Sequence, residues 1–342
     1  MKIDGGLTTF ELAQVPAHAR EIEALGYDGL FTFEGKGDPF LPLVLAAEHT
    51  ERVELATAIA LAFPRSPMNL AYIGHDLQVQ SKGRFILGLG SQIKTHIEKR
   101  FSAIWSRPAA RMRELVLAIR AIWRCWNEGE RLDFRGEFYR HTLMTPVFDP
   151  GRSPYGPPRI FLAGVQPRMT EVAGEVADGL LVHPFNSRRF MSDALLPALD
   201  RGLARGDRKR SDYEVACQVL LVVGDSAAER RESATPIRQQ LAFYGSTPAY
   251  RPVLEAHGWG ELQDELHALS KRGGWIEMGE RITDEMLETF AVCGSLDELP
   301  AKLHARYADQ ADRLALVSYA GLERTQRDRW MRMLAATRSA AT

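Results

Sequence analysis

Two histidines, one glutamate and one glycine-led turn are the residues of this chain best suited to chemistry. His183 closes the apolar run Gly-Leu-Leu-Val and is followed by Pro184, and His96 sits in a cationic stretch with Lys94, Lys99 and Arg100. An imidazole titrates near neutrality, which suits it to acid–base work; it also serves as a neutral core side chain held by a neighbour, and the sequence leaves both roles open at both positions. His49 and His75 fall inside helical patterns and read as structural. Glu34 ends the run Gly-Leu-Phe-Thr-Phe-Glu, where a carboxylate either meets a ligand or pairs with Lys36.

Gly164-Val165-Gln166-Pro167 joins an apolar run to a helical pattern. Free N–H groups and the helix dipole make such a junction an anion site, although an ordinary strand-to-helix turn has the same composition. Lys94, Lys99 and Arg100 add cations nearby, but exposed loop charges are usually just solvated. No His-x-His or His-Glu-x-x-His pair supplies metal ligands, and neither a Gly-x-Ser-x-Gly elbow nor a phosphate-cradling Gly-rich loop with Lys occurs. Gly88-Leu89-Gly90-Ser91-Gln92-Ile93 lacks the third glycine of a dinucleotide turn and is not followed at once by a helix, so it reads as close backbone packing.

These residues need a scaffold, and the chain supplies one in strand–helix order. Residues 53–61 are almost wholly apolar, right for a strand buried on both faces; Pro64 stops the strand, and Ser66-Pro67 opens a helix. Further strands are expected at 2–7, 29–34, 85–89, 159–163, 179–183, 214–223 and 313–317. Helices are expected at 14–25, 40–50, 68–81, from Pro108, from Pro167, around Leu195 and Leu199, after the Ser226-x-x-Glu229 and Ser295-x-x-Glu298 capping boxes, and at 324–342. Met112, Leu115, Val116, Ile119, Ile122, Trp123 and Trp126 form one apolar stripe at 3.6-residue spacing, the mark of core packing. Residues 93–107 read as a long loop. Two excursions break the alternation: a β-hairpin and Gly/Pro-rich crossing over about 129–158, and a second insertion over about 244–290. Eight strands in this order predict one (β/α)8 TIM barrel domain over 1–342, with insertions at the C-terminal face, where such barrels keep their sites.

The bulk numbers are neutral. The 342 residues carry 43 basic and 44 acidic side chains, a net charge of −1, so no footprint for nucleic acid or membrane appears. Three scattered cysteines give no disulfide framework or metal spacing, and no apolar run reaches membrane-spanning length. With no hydrophobic signal core at the N-terminus, a cytoplasmic protein is expected.

Four stretches together carry a resemblance: Gly26-Tyr-Asp-Gly-Leu-Phe31; Leu55-Ala-Thr-Ala-Ile59 with Arg65-Ser-Pro67; Gly83-Arg-Phe-Ile-Leu-Gly-Leu-Gly-Ser91; and Ala173-Gly-Glu-Val-Ala-Asp-Gly179. In this order and spacing the chain resembles the luciferase-like monooxygenase superfamily, and within it the coenzyme F-420-dependent oxidoreductases. The resemblance implies a barrel with an insertion over its mouth and a deazaflavin ring lying against the third strand. There it implies a bulge with a non-prolyl cis peptide at Ala58–Ile59 and Thr57 beside it. It further implies cofactor phosphate held by the backbone of Gly164, Val165 and Gln166; His183, at the end of the sixth strand, is also expected among the cofactor-binding residues. Several deazaflavin-dependent relatives end the second strand with an acid followed by a histidine, whereas this chain has Glu34-Gly35. Glu34 and His96 are therefore the expected catalytic pair, His96 standing in for the missing histidine. The expected function is hydride transfer between a small organic substrate and coenzyme F-420, in a homodimer. The alternatives are an FMN-dependent monooxygenase and a non-catalytic flavin-binding homologue.

Overall fold

The computed structural model describes residues 1–339. Twelve strands appear in it: β1 (Lys2–Gly6), β2 (Gly29–Thr32), β3 (Glu54–Thr57), β4 (Ala60–Leu61), β5 (Phe85–Gly90), β6 (Phe134–Arg135), β7 (Arg140–His141), β8 (Arg159–Gly164), β9 (Gly179–Val182), β10 (Glu214–Val223), β11 (Ala291–Gly294) and β12 (Arg313–Val317). The helices are α1 (Val15–Leu25), α2 (Leu41–His49), α3 (Pro67–Gln80), α4 (Lys94–Lys99), α5 (Pro108–Glu128), α6 (Pro167–Val176), α7 (Arg188–Phe190), α8 (Leu196–Arg205), α9 (Ala227–Gly245), α10 (Arg251–Glu255), α11 (Gly260–Lys271), α12 (Trp275–Glu280), α13 (Asp284–Phe290), α14 (Leu299–Tyr307), α15 (Leu322–Thr325) and α16 (Arg327–Ser339).

Parallel pairing runs β1–β2–β3–β5–β8–β9–β10–β12 and back to β1, which closes an eight-stave barrel of the TIM type. The third stave is split: β3 and β4 both pair with β5. β11 is a ninth parallel strand that the sequence reading passed over. Leu220 of β10 pairs with both Val317 and Ala291, so β11 lies on the edge that β9 vacates. Its four residues sit directly behind α13, where a short apolar run is indistinguishable from the end of a helix.

One device recurs at the strand starts. The carboxylate of Asp28, just ahead of β2, accepts the Ile3 N–H of β1; Asp178 ahead of β9 accepts the Ile160 N–H of β8; and Asp312 ahead of β12 accepts the Val215 N–H of β10, at 2.8–2.9 Å. Each pins the register of two staves. The helices pack outside by their apolar faces. The stripe on α5 from Met112 to Trp126 is buried as expected. Each such side chain contributes about 2 kcal/mol by its removal from water. Ser66 caps α3 by accepting the Asn69 N–H, and the reciprocal capping box forms at Ser226 and Glu229. Gly26, at φ +93°, ends α1 in the left-handed conformation that glycine adopts without a Cβ penalty.

β6 and β7 form the hairpin of the first excursion, Phe134 opposite His141, with the second strand two residues later than its aromatic pair suggested. The second excursion is helical, α10 to α13, and Tyr244 belongs to the last turn of α9. α4 occupies part of the stretch expected to be loop. The closing helix, expected over 324–342, is α15 and α16; positions 340–342 lie outside the described residues. No helix among the described residues is long and apolar enough to cross a membrane.

Candidate functional site

A cavity of about 1850 Å³ runs from the barrel interior to the mouth and into grooves beside α1 and α6. Its floor is an ion network from the N-terminal ends of the staves. Arg313, fully buried, meets Asp4 at 3.1 Å and also Glu54 and Glu214; Lys2 and Arg159 each bridge Glu54 and Glu214. Burial pushes the Asp4 carboxyl up to about 7 against the pull of Arg313.

The wall that matters most is the split stave. β3 ends at Thr57, the Ala58–Ile59 peptide is cis, and β4 resumes at Ala60. Both Ala58 and Ile59 line the cavity. Thr57 does not: its hydroxyl donates to the Gly88 carbonyl at 2.7 Å and accepts the Gly88 N–H at 2.9 Å, so it stitches the break to β5. The two glycines of Gly88-Leu89-Gly90 are explained by the same break. A Cβ on Gly88 would lie 1.7 Å from the Thr57 carbonyl oxygen, and one on Gly90 would lie 2.1 Å from Ile59 Cδ1.

Glu34 holds the far side of the break. Its N–H donates to the Ile59 carbonyl at 3.0 Å. Its carboxylate accepts the Leu61 N–H at 2.7 Å and Arg65 Nη1 at 2.6 Å. Arg65 also donates to the Leu61 carbonyl and to Asp38. The side chain of Glu34 is only 6 % exposed, and its partner is Arg65 rather than Lys36.

Around the rim, Gly164 ends β8, and Val165 and Gln166 lead into α6. The N–H groups of Val165 and Gln166 find no acceptor among the described residues and stand at the positive end of α6. Val165 and Gln166 line the cavity, whereas Gly164 lies behind them, where a Cβ would sit 2.8 Å from Thr170 Oγ1. The Gln166 side chain donates to the Ala249 carbonyl at 2.8 Å.

His183 also lines the cavity. Its ring packs edge-on to Tyr244 at 4.5 Å and lies 4.7 Å from Tyr250; Nδ1 accepts the Phe185 N–H at 3.1 Å, and Nε2 is 3.3 Å from Tyr250 Oη. Burial pulls its pKa down to about 3, so the ring is neutral at physiological pH. His96 lies elsewhere. It is exposed on α4 and is absent from the cavity wall, which α4 reaches through Lys94 and Thr95. The structure therefore gathers Glu34, Ala58, Ile59, Val165, Gln166 and His183 around one space, with Thr57 and Gly164 supporting from behind and His96 outside. Arg65 and the pairing of Tyr250 with His183 were not legible in sequence, since both depend on contacts between separate staves and loops.

The luciferase-like monooxygenase model matches residues 2–313. The chain belongs to the luciferase-like monooxygenase family. An uncharacterized protein of Mycobacterium tuberculosis is 54 % identical over 314 residues, 92 % of each chain. The 5,10-methylenetetrahydromethanopterin reductase of Archaeoglobus fulgidus is 26 % identical over 267 residues, 77 % of this chain and 76 % of its own. Among solved structures, the coenzyme F-420-dependent tetrahydromethanopterin reductase of Methanopyrus kandleri superposes with a TM-score of 0.76 at 20 % identity, covering 92 % of each chain, a likeness of fold.

Proposed function

We propose that the protein is an oxidoreductase that moves a hydride between a small organic substrate and coenzyme F-420. The observation that carries this reading is the split stave: Ala58 and Ile59, at the break between β3 and β4, form part of the wall of the large cavity. The residues present fit a planar ring with a phosphate tail. Gly90 and Ala163 line the cavity beside this wall, and the missing side chain of Gly90 leaves room for the end of Ile59. The unpaired N–H groups of Val165 and Gln166 suit a phosphate, and only β5 stands between β4 and β8.

When bound, the deazaflavin supplies two-electron hydride chemistry. The chain supplies position and protons. Ala58 and Ile59 back the ring. Thr57 and Glu34 fix the wall from either side, so Glu34 acts here as a positioning residue. Val165 and Gln166 hold the phosphate, with Gly164 allowing α6 to approach. His183, neutral, joins the substrate side of the cavity. The exposed position of His96 leaves it outside this scheme. Support for the cofactor comes from more distant relatives whose names include coenzyme F-420, at 28–29 % identity.

The test is a fluorescence titration of the purified protein with coenzyme F-420 and with FMN. Micromolar or tighter binding of the deazaflavin, with FMN much weaker, is the expected result. Preference for FMN would move the protein to the oxygen-using monooxygenases, and binding of neither would end the redox reading. Replacing Ile59 with Asp puts a charge on the ring wall and is expected to abolish cofactor binding while circular dichroism stays unchanged.

A further inference from the structure

The environment of His183 fixes its tautomer without reference to any ligand. A backbone N–H can only donate, so Nδ1, which receives the Phe185 N–H at 3.1 Å, carries a lone pair. The ring is then neutral with its proton on Nε2, and Nε2 donates to Tyr250 Oη across 3.3 Å. That leaves the hydroxyl proton of Tyr250 uncommitted: no acceptor for it exists among the described residues. The other tyrosines of this corner are placed differently. Tyr244 is hydrogen-bonded to Gln240, and Tyr319 donates to the same Gln240 side chain at 3.4 Å.

Tyr250 is also held from the chain side. It ends a tight turn whose Ala249 carbonyl receives the side chain of Gln166, and its ring lies 6.0 Å from buried Phe185. Tyr250 and His183 both line the cavity that contains the Ala58–Ile59 wall.

We propose that Tyr250 is the proton donor and acceptor for the substrate oxygen, and that His183 is its positioning residue. The substrate class is therefore a carbonyl compound and its alcohol. The proposal rests on the hydride-transfer reading above. In reduction, the carbonyl carbon receives the hydride, with its electron pair, from the reduced deazaflavin. The π pair of the C=O bond moves to oxygen, which takes the proton from Tyr250 Oη. The tyrosine O–H bond breaks, His183 Nε2–H steadies the phenolate, and water at the cavity mouth returns the proton. Oxidation of the alcohol runs the same steps backwards. Burial agrees with both protonation states: it pushes the Tyr250 hydroxyl up to about 12, so the proton is in place at neutral pH, and it keeps His183 uncharged.

Two measurements test this. The first uses the cofactor-free protein: ¹⁵N NMR of the His183 imidazole at pH 7, assigned against His183→Gln. The expected state is neutral with the proton on Nε2; a proton on Nδ1, or an imidazolium, overturns the proposal. The second uses the protein loaded with reduced coenzyme F-420 and a panel of 2-butanone, cyclohexenone and benzaldehyde. Tyr250→Phe is expected to bind the cofactor within about threefold of wild type and to transfer hydride about 10²–10⁴-fold more slowly. His183→Gln, which keeps an N–H donor, is expected to exceed His183→Ala by about tenfold in rate at equal cofactor affinity. Equal rates for the two would overturn the positioning role. A Tyr250→Phe rate close to wild type overturns the catalytic role while the hydride-transfer reading stands. Failure of the wild type to bind coenzyme F-420 overturns that reading itself, and binding without turnover of any panel member overturns the carbonyl assignment.

Discussion

Truncating Glu34 to Ala removes the acceptor of two donors at once, the Leu61 N–H and the Arg65 guanidinium. Arg65 keeps Asp38, but the backbone donor on β4 loses its partner. A loss of about 2–4 kcal/mol in urea unfolding is expected, with cofactor affinity falling because β4 is freed. A purely catalytic carboxylate would behave otherwise: its removal would leave stability unchanged and stop turnover. The unfolding curve of Glu34→Ala therefore separates a clamp from a general base. His183 illustrates the opposite case, a group whose burial keeps it neutral and turns it into a fixed hydrogen-bond donor.

Among the elements, β5 is where the split stave meets the rest of the barrel. Gly88 and Gly90 both face the break, yet their substitutions are expected to differ. In Gly88→Ala the new Cβ collides with backbone, the Thr57 carbonyl oxygen, and the strand pair must separate. This should cost at least about 3 kcal/mol and reduce soluble yield. In Gly90→Ala the obstacle is the end of the Ile59 side chain, which can rotate. Thermal unfolding should shift little, while the titration with coenzyme F-420 should weaken, because the displaced Ile59 side chain must move within the cavity wall. Equal melting temperatures for the two variants would refute this account of the Gly-x-Gly pair. The aspartates ahead of β2, β9 and β12 act at the same scale. Two of them, in Asp28-Gly29 and Asp178-Gly179, lie within the stretches that carry the family resemblance, and their work is register, not catalysis.

On the scale of the whole barrel, the floor network balances three cations against three carboxylates, with Asp4 enclosed beneath the cavity. Asp4 titrates near 7 when folded and near 3.8 when exposed. The folded state therefore holds its proton more tightly, and the stability this provides is complete below about pH 4 and is lost as pH rises through 7. Asp4→Asn cannot titrate, so wild type is expected to lose stability relative to this variant between pH 4 and 7. Parallel melting curves for the two proteins over that range would contradict it.

The amino-acid sequence by itself determined the stave order, the starts and ends of the helices that follow the early staves, and the position of the break at Ala58–Ile59. These follow from local causes: period-2 and period-3.6 apolar patterns, proline and glycine at fixed offsets, capping side chains, and a resemblance carried by short motifs. It missed β11 and α4, whose four and six residues are too short for a pattern to declare itself. It also named His96 for the site, because a loop histidine in a cationic stretch gives no local sign of which way its helix will turn. Only the tertiary structure decided that Glu34 is paired with Arg65 and that Tyr250 keeps a free proton beside His183. Those facts depend on side chains 31 and 67 residues apart in the chain being brought together by the fold. Burial and hydrogen-bond partners are properties of the closed barrel, and no segment of the chain carries them alone.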